Sequence, residues 1–177
     1  MSTNDSVALV ATGSNIIDLK NTKNYQVIEQ NIQNVFSQLA HMIVSDGEGA
    51  TKVCKISVTK AHSINQAKTT CYSIANSNLF KTALFGEDPN WGRIIARLGS
   101  LEKIKYNSYD IILKINGIKV FMKGVPTNHS TSSKLKSAMK NSNINVEICL
   151  NSGIHNASMF TSDLTSKYVQ INSKYTT

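Results

Sequence analysis

Between Tyr25 and Thr59 the apolar residues change period, and the change is completed across Asp46-Gly47-Glu48-Gly49-Ala50-Thr51-Lys52. Before this stretch Ile28, Ile32, Val35, Phe36, Leu39, Met42 and Ile43 recur at spacings of three and four. That spacing predicts an amphipathic helix over Tyr25 to Val44. After it Cys54, Ile56 and Val58 alternate with Lys55, Ser57 and Thr59, which predicts a half-exposed strand. A long helix that turns into a strand through so short a connection commits the chain to a mixed architecture of helix layered on sheet. The connection itself holds a single carboxylate, Glu48, between two glycines. Glycine lets the backbone take positive φ and lets another group approach closely, so Glu48 is a candidate to grip an ammonium group. The same residues also read as an ordinary helix C-cap and turn.

The remaining elements follow in chain order. Ser6 to Thr12 (SVALVAT) is apolar and β-branched and is expected to form a buried strand, with Asn15 to Lys23 as a loop behind it. A strand placed so near the first residue leads us to expect further chain ahead of it. Ser63 is positioned to cap a helix whose inner face is Ala67, Cys71, Ile74 and Ala75. Gly86 and Asp88-Pro89 mark a turn, and Asn90 is placed to cap a helix carrying Trp91, Ile94, Ile95 and Leu98 up to Gly99. Ile111, Leu113 and Ile115, then Asn116-Gly117, then Ile118, Val120 and Met122 spell a hairpin over Tyr109 to Met122. A lysine-rich helix is expected over Ser130 to Ser142, a strand over Asn145 to Leu150, a break at Gly153 and a strand over Ala157 to Thr161. Asp163 is placed to cap a last helical segment, Leu164 to Ile171. No linker or repeat divides the chain, so 1–177 is expected to be a single domain of the α+β class.

Composition excludes several functions. No apolar run is long enough to span a bilayer and the first residues lack a basic-then-apolar signal, so a cytoplasmic protein without membrane association is expected. Cys54, Cys71 and Cys149 are far apart and contain no CxxC pair, which fits free thiols in a reducing compartment. The net charge is +8 and the pI about 9.4, but all basic residues other than Arg93 and Arg97 are lysines scattered along the chain. A nucleic-acid footprint gathers on one face, so no nucleic-acid partner is expected. His41 stands alone on its helix, with no second histidine one turn away, so it reads as a surface or packed residue and no metal is expected; no cofactor is expected either.

Five stretches then carry a resemblance. STNDS (Ser2 to Ser6), DGEGATK (Asp46 to Lys52), NSNLFKTALFGEDPNWGRI (Asn76 to Ile94), SDLTSKYVQIN (Ser162 to Asn172) and the closing NSKYTT resemble, in order, the ornithine acetyltransferase family, also called glutamate N-acetyltransferase. The match covers nearly all of this chain and less than half of the family's length. The resemblance implies a layered αββα-type sandwich and a part in arginine biosynthesis. Family members cut themselves before a threonine, which takes the acetyl group from N-acetylornithine and passes it to glutamate. An N-terminal threonine suits this chemistry, because its own amine can serve as general base.

The family's self-cleaving threonine lies upstream of STNDS, outside this chain, and Thr51 belongs to an internal motif and is not its replacement. The resemblance therefore implies an inactive chain when alone and, as partners, an upstream half of the enzyme, a hetero- or homo-oligomer, and N-acetylornithine and glutamate as substrates. It assigns Glu48, Asn172 and Thr177 as substrate contacts and no catalytic residue to this chain. Two positions depart from the family pattern: Thr176 stands where an arginine is usual and Ser162 where a cysteine is usual. The alternative reading is an inactive remnant or an amino-acid-binding module.

Overall fold

In the computed structural model, residues 6–14, 18, 20–101, 104 and 106–174 are described. The anticipated change of period is realised as helix α1 (Thr22–Ser45) followed by strand β1 (Val53–Ala61). The Asn21 carboxamide starts α1 by accepting from the backbone N–H of Lys23 and Asn24. Next come α2 (Ile64–Ala75), α3 (Asn78–Phe85) and α4 (Trp91–Gly99). The hairpin β2 (Ile112–Ile115) and β3 (Ile118–Met122) turns on Asn116-Gly117, both at positive φ, as an Asn-Gly type I′ turn requires. A short β4 (Val125–Pro126), α5 (Ser133–Ala138), β5 (Asn143–Cys149), β6 (His155–Ser162) and α6 (Ser166–Ser173) complete the order.

The strands form one sheet in the order β4-β3-β2-β5-β1-β6. β1 lies parallel to β5, with Ile56 opposite Val146, and antiparallel to β6, with Ile56 opposite Met159. Its even-numbered side chains Cys54, Ile56 and Val58 are completely buried. They face Cys71 and Ile74 of α2, and the Cys71 thiol approaches the Ala157 carbonyl of β6 at 3.5 Å. Phe80 and Leu84 of α3, Ile94 and Leu98 of α4 and Leu135 of α5 extend the same core over Leu113, Val120, Val146 and Ile148. Each such side chain withdrawn from water stabilises the fold by about 1.5–3 kcal/mol. The expected α+β layering of helices on a sheet is what the chain forms.

The opposite face of the sheet is mostly polar, carrying Lys55 and Ser57 of β1 beside Asn145 and Glu147 of β5. There Lys114 and Glu147, neighbours across β2 and β5, form an exposed ion pair at 3.5 Å. α1 crosses this face near the β6 edge, where His41 packs edge-on against Phe160 at 5.4 Å. The amphipathic helix is therefore present, but its stripe is not a core face: α1 has no buried residue, and Val35, Phe36 and Met42 are all exposed.

Several local expectations are corrected. Ser6 to Thr12 is exposed and in no strand, because no described strand pairs with it; Val7 and Leu9 instead lie along Ile32 and Phe36 of α1. The helix α3, in a stretch where no element is expected, leads into the Gly86 turn. Asn90 precedes α4 without a side-chain cap bond, since its amide donates to the Asp88 carboxylate at 3.0 Å. The lysine-rich helix is shorter than expected because Ser132 caps it and it ends at Ala138. The last helix is capped by the Thr165 hydroxyl, which accepts from Tyr168 N–H, and not by Asp163.

The three cysteines are free, with Cys54 and Cys71 buried and Cys149 half-buried. Burial pushes the Cys71 thiol up to about 11 and raises Cys54 further above the ordinary thiol range. Since the thiolate is the reactive form, we expect a thiol reagent at pH 8 to label Cys149 alone in the folded chain and all three cysteines after denaturation. Rapid labelling of Cys54 or Cys71 under native conditions, read by peptide mass spectrometry, would contradict this packing.

Candidate functional site

One end of the sheet gathers three of the long motifs. β1 begins there, β6 ends there, and Val53 pairs with Ser162 across them. The chain reaches β1 through Asp46 to Lys52 and leaves β6 into Asp163, so these two connections meet side by side.

Asp163 joins them. It is 2% exposed, which leaves its carboxylate cut off from water. Oδ1 accepts from the backbone N–H of Thr51 at 2.9 Å and of Lys52 at 3.1 Å. Oδ2 accepts from the Thr51 hydroxyl at 2.5 Å. A buried carboxylate is tolerated only when its lone pairs are met in this way. The Lys81 ammonium of α3 supplies a neighbouring positive charge; burial lowers its pKa and the Asp163 charge raises it. The α3 backbone is tied in as well, with Leu164 N–H donating to the Lys81 carbonyl at 3.2 Å.

Lys52 brings in the Gly86 turn. Its side chain is buried, and its ammonium donates to Glu87 Oε1 at 3.1 Å and to the Asn141 carbonyl at 3.2 Å. Arg93, from the first turn of α4, donates to the Thr82 hydroxyl at 3.1 Å and to the Leu79 carbonyl, which fixes α4 against α3. The same stretch places the indole of Trp91 5.8 Å from the ring of Phe121, as part of the packing.

Gly49 sits at φ +69 and its carbonyl accepts the Thr165 hydroxyl at 2.8 Å. That hydroxyl therefore caps α6 and latches the helix to the turn. The contact is so close that a Cβ at Gly49 would lie 2.8 Å from the backbone nitrogen of Tyr168. One turn further along α6, the Asn172 amide donates to Glu48 Oε2 at 2.9 Å and to the Tyr168 carbonyl at 3.0 Å. Glu48 and Asn172, 124 residues apart, thus form one exposed pair. Among the described residues Asn172 is the one group bonded to the Glu48 carboxylate. An exposed carboxylate braced by an amide is suited to receive a cationic donor from solvent. Thr177, the third residue singled out from the sequence, lies outside the described residues.

Beside the turn, a cleft of about 220 Å³ opens between His41 and Ser45 of α1, Thr51 and Lys52, and Ser142 and Asn143. Among the described residues no group of three or more His, Cys, Asp or Glu is placed to hold a metal ion. No described helix is long and apolar enough to cross a membrane.

Residue patterns alone miss Asp163, Lys81, Glu87 and Thr165 as parts of this assembly. Asp163 ahead of an apolar turn looks like a cap, and its true partners lie more than a hundred residues earlier. The signal that could have exposed it is the polar run Thr161-Ser162-Asp163 closing a strand whose last residues are buried.

With this geometry in hand, comparison with known proteins is direct. A model of the ArgJ family matches residues 1–177. The arginine biosynthesis bifunctional protein ArgJ of Syntrophotalea carbinolica is 38% identical over 178 residues, covering 99% of this chain and 45% of that protein. The protein of the same name from Nitratidesulfovibrio vulgaris is 33% identical over 174 residues, covering 98% of this chain and 44% of its own length. The crystal structure of arginine biosynthesis bifunctional protein ArgJ from Bacillus halodurans superposes with a TM-score of 0.87 at 30% identity, over 99% of this chain and 83% of that one. The chain spans less than half the length of these curated relatives.

Proposed function

The chain belongs to the ArgJ family, and from that premise we propose that it is a component of a glutamate N-acetyltransferase of arginine biosynthesis. The reaction moves an acetyl group from N-acetylornithine to glutamate through an acetyl-threonine whose nucleophile is outside this chain. In the first step the threonine Oγ attacks the acetyl carbonyl, the C–N bond breaks and the ornithine amine leaves with a proton. In the second the glutamate amine attacks the ester carbonyl, the C–O bond breaks and the threonine hydroxyl is restored. The substrates, the cytoplasmic setting and assembly with the remainder of the enzyme into an oligomer belong to the same proposal.

In this reading the present chain supplies substrate contacts. Glu48 receives the ammonium of an amino-acid substrate, Asn172 fixes the carboxylate that does so, and Thr177 is a further substrate contact. The observation that carries the reading is the 2.9 Å bond between Glu48 and Asn172. Two residues from distant motifs, both assigned to substrate by the resemblance, meet on one exposed surface. This is a positional coincidence that unrelated surface residues have no reason to show.

Glu48→Gln tests it. The change keeps shape and removes charge from an exposed side chain, so the melting temperature of the complete enzyme should hardly move. A charge-assisted contact contributes about 1.5–3 kcal/mol, so the KM for at least one amino-acid substrate should rise about tenfold or more. Unchanged kinetic constants for both amino acids would take Glu48 out of the site. Thr177→Ala is expected to raise KM in the same direction by less, since it removes one neutral hydroxyl.

A further inference from the structure

We infer that Asp163 is a positioning residue: it touches no substrate, and it sets the mutual geometry of Glu48 and Asn172 by clamping the two connections that carry them. This rests on the reading that Glu48 and Asn172 contact an amino-acid substrate.

The connections run past each other at the end of the sheet and are fastened at four points. Asp163 takes two N–H groups and one hydroxyl from Thr51 and Lys52. Thr165 donates to the Gly49 carbonyl, and the start of α6 rests against the Gly49 backbone. Asn172 then reaches Glu48. The last of these is exposed and is a single bond between two side chains at the surface. The Asp163 fastening is buried, uses both oxygens, and grips backbone groups within four residues of Glu48. A rotation of the turn that moved Glu48 would strand two backbone N–H donors and a carboxylate away from water, which is the costly outcome. The buried clamp therefore dictates where the exposed pair sits, and the pair does not hold the turn.

A carboxylate is the side chain that does this. The two N–H donors converge on one oxygen and the hydroxyl takes the other. Asparagine would keep the first oxygen and put an NH2 where the second one stood, facing the Thr51 hydroxyl. It would also leave the buried Lys81 without its neighbouring negative charge. Thr51 is the other half of the clamp, since its hydroxyl and its N–H both go to Asp163. Replacing that hydroxyl by a methyl of the same shape loosens the clamp with the charge retained.

The test is a double-mutant cycle in the complete enzyme, read as KM and kcat for N-acetylornithine and for glutamate. Asp163→Asn should raise the KM of the substrate affected by Glu48→Gln, by about tenfold, with kcat changed less than about twofold. In the Glu48→Gln background the same change should raise KM by no more than about twofold, because residues that act through one contact are not additive. Thr51→Val should follow Asp163→Asn with a smaller rise and Thr51→Ser should restore the parent value. This pair decides the matter if Asp163→Asn does not fold.

A second readout does not depend on substrate. With the asparagines 15N-labelled, the Asn172 side-chain amide resonances, assigned by their loss in Asn172→Ala, should shift in Thr51→Val toward their position in Glu48→Gln. Equal KM effects in the two backgrounds, or unmoved Asn172 amide resonances, would overturn the positioning role. If Glu48→Gln alone leaves both KM values unchanged, the substrate reading fails. The amide resonances then still decide whether Asp163 positions the pair.

Discussion

Gly153→Ala is expected to lower the melting temperature by about 2–12 °C. Gly153 lies in the connection from β5 to β6, where it and Ser152 both donate their N–H to the Lys60 carbonyl at 3.0 and 2.8 Å. This places the glycine flat against the end of β1, where the pairing with β6 slips between Val58 and Ala61. A Cβ there would lie 2.8 Å from His62 Cα and nearer still to the Ala61 carbonyl oxygen. Both obstacles are backbone, so no side chain can swing aside to make room. Overpacking of this kind costs about 1–3 kcal/mol, and a chain of this size loses about 2–4 °C per kcal/mol. Thermal denaturation followed by circular dichroism checks it, and a melt within about 1 °C of the parent would show that the connection yields freely. The Glu48–Asn172 pair is at the other end of β1, so amino-acid KM values measured below the melt should stay at parent levels.

How far the sequence discloses this molecule depends on the range of the interaction in question. α1 and β1 are readable because periodicity is local, and the hairpin is readable because Asn116-Gly117 meets a local backbone demand at positive φ. The exposed segment containing Val7 and Leu9 misleads because a β-branched run becomes a strand only when another strand is there to pair with it. α3 is hidden by its eight-residue length, which gives barely two turns in which a period can be seen, although Ser77 caps it in the ordinary way. α1 is readable as a helix and misread as a core element, since apolar spacing specifies a face and not what covers it.

The site separates in the same way. Glu48 is a candidate from its glycine-flanked turn as well as from the resemblance, Asn172 from the resemblance alone, and no local rule pairs residues so distant in the chain. Asp163 was legible as a polar residue ahead of a helix, and its chemistry was not, because the donors it serves belong to Thr51 and Lys52. The Lys52–Glu87 pair joins two motifs that both look like self-sufficient turns. Polar assembly at this end of the sheet is long-range throughout, whereas the hydrophobic pattern that builds the sheet is short-range.

Gly49→Ala should remove the site at a greater cost than any other single methyl group at the Glu48 turn. Two effects combine. The backbone at Gly49 has φ +69, a left-handed conformation that costs an L-residue about 1–2 kcal/mol. The added methyl would also meet Tyr168 N at 2.8 Å, Lys167 C at 3.2 Å and the Thr165 hydroxyl at 3.2 Å, for a further 1–3 kcal/mol or so. Gly117 separates these effects. It has φ +75 in the hairpin turn, yet nothing lies within 4 Å of where its Cβ would be. Gly117→Ala therefore carries the conformational cost without the collision. The difference between the two variants in denaturant unfolding should be about 1–3 kcal/mol, and it measures how tightly α6 is seated on the turn. The kinetic consequence should divide them further. To admit the methyl, the start of α6 must back away, which breaks the Thr165 latch and draws Asn172 from Glu48. In the complete enzyme Gly49→Ala should then raise amino-acid KM at least as much as Glu48→Gln does, about tenfold or more, while Gly117→Ala leaves it at the parent value. If both alanine variants lose the same stability and neither alters KM, α6 is not seated on Gly49 and the pairing of Glu48 with Asn172 does not govern substrate binding.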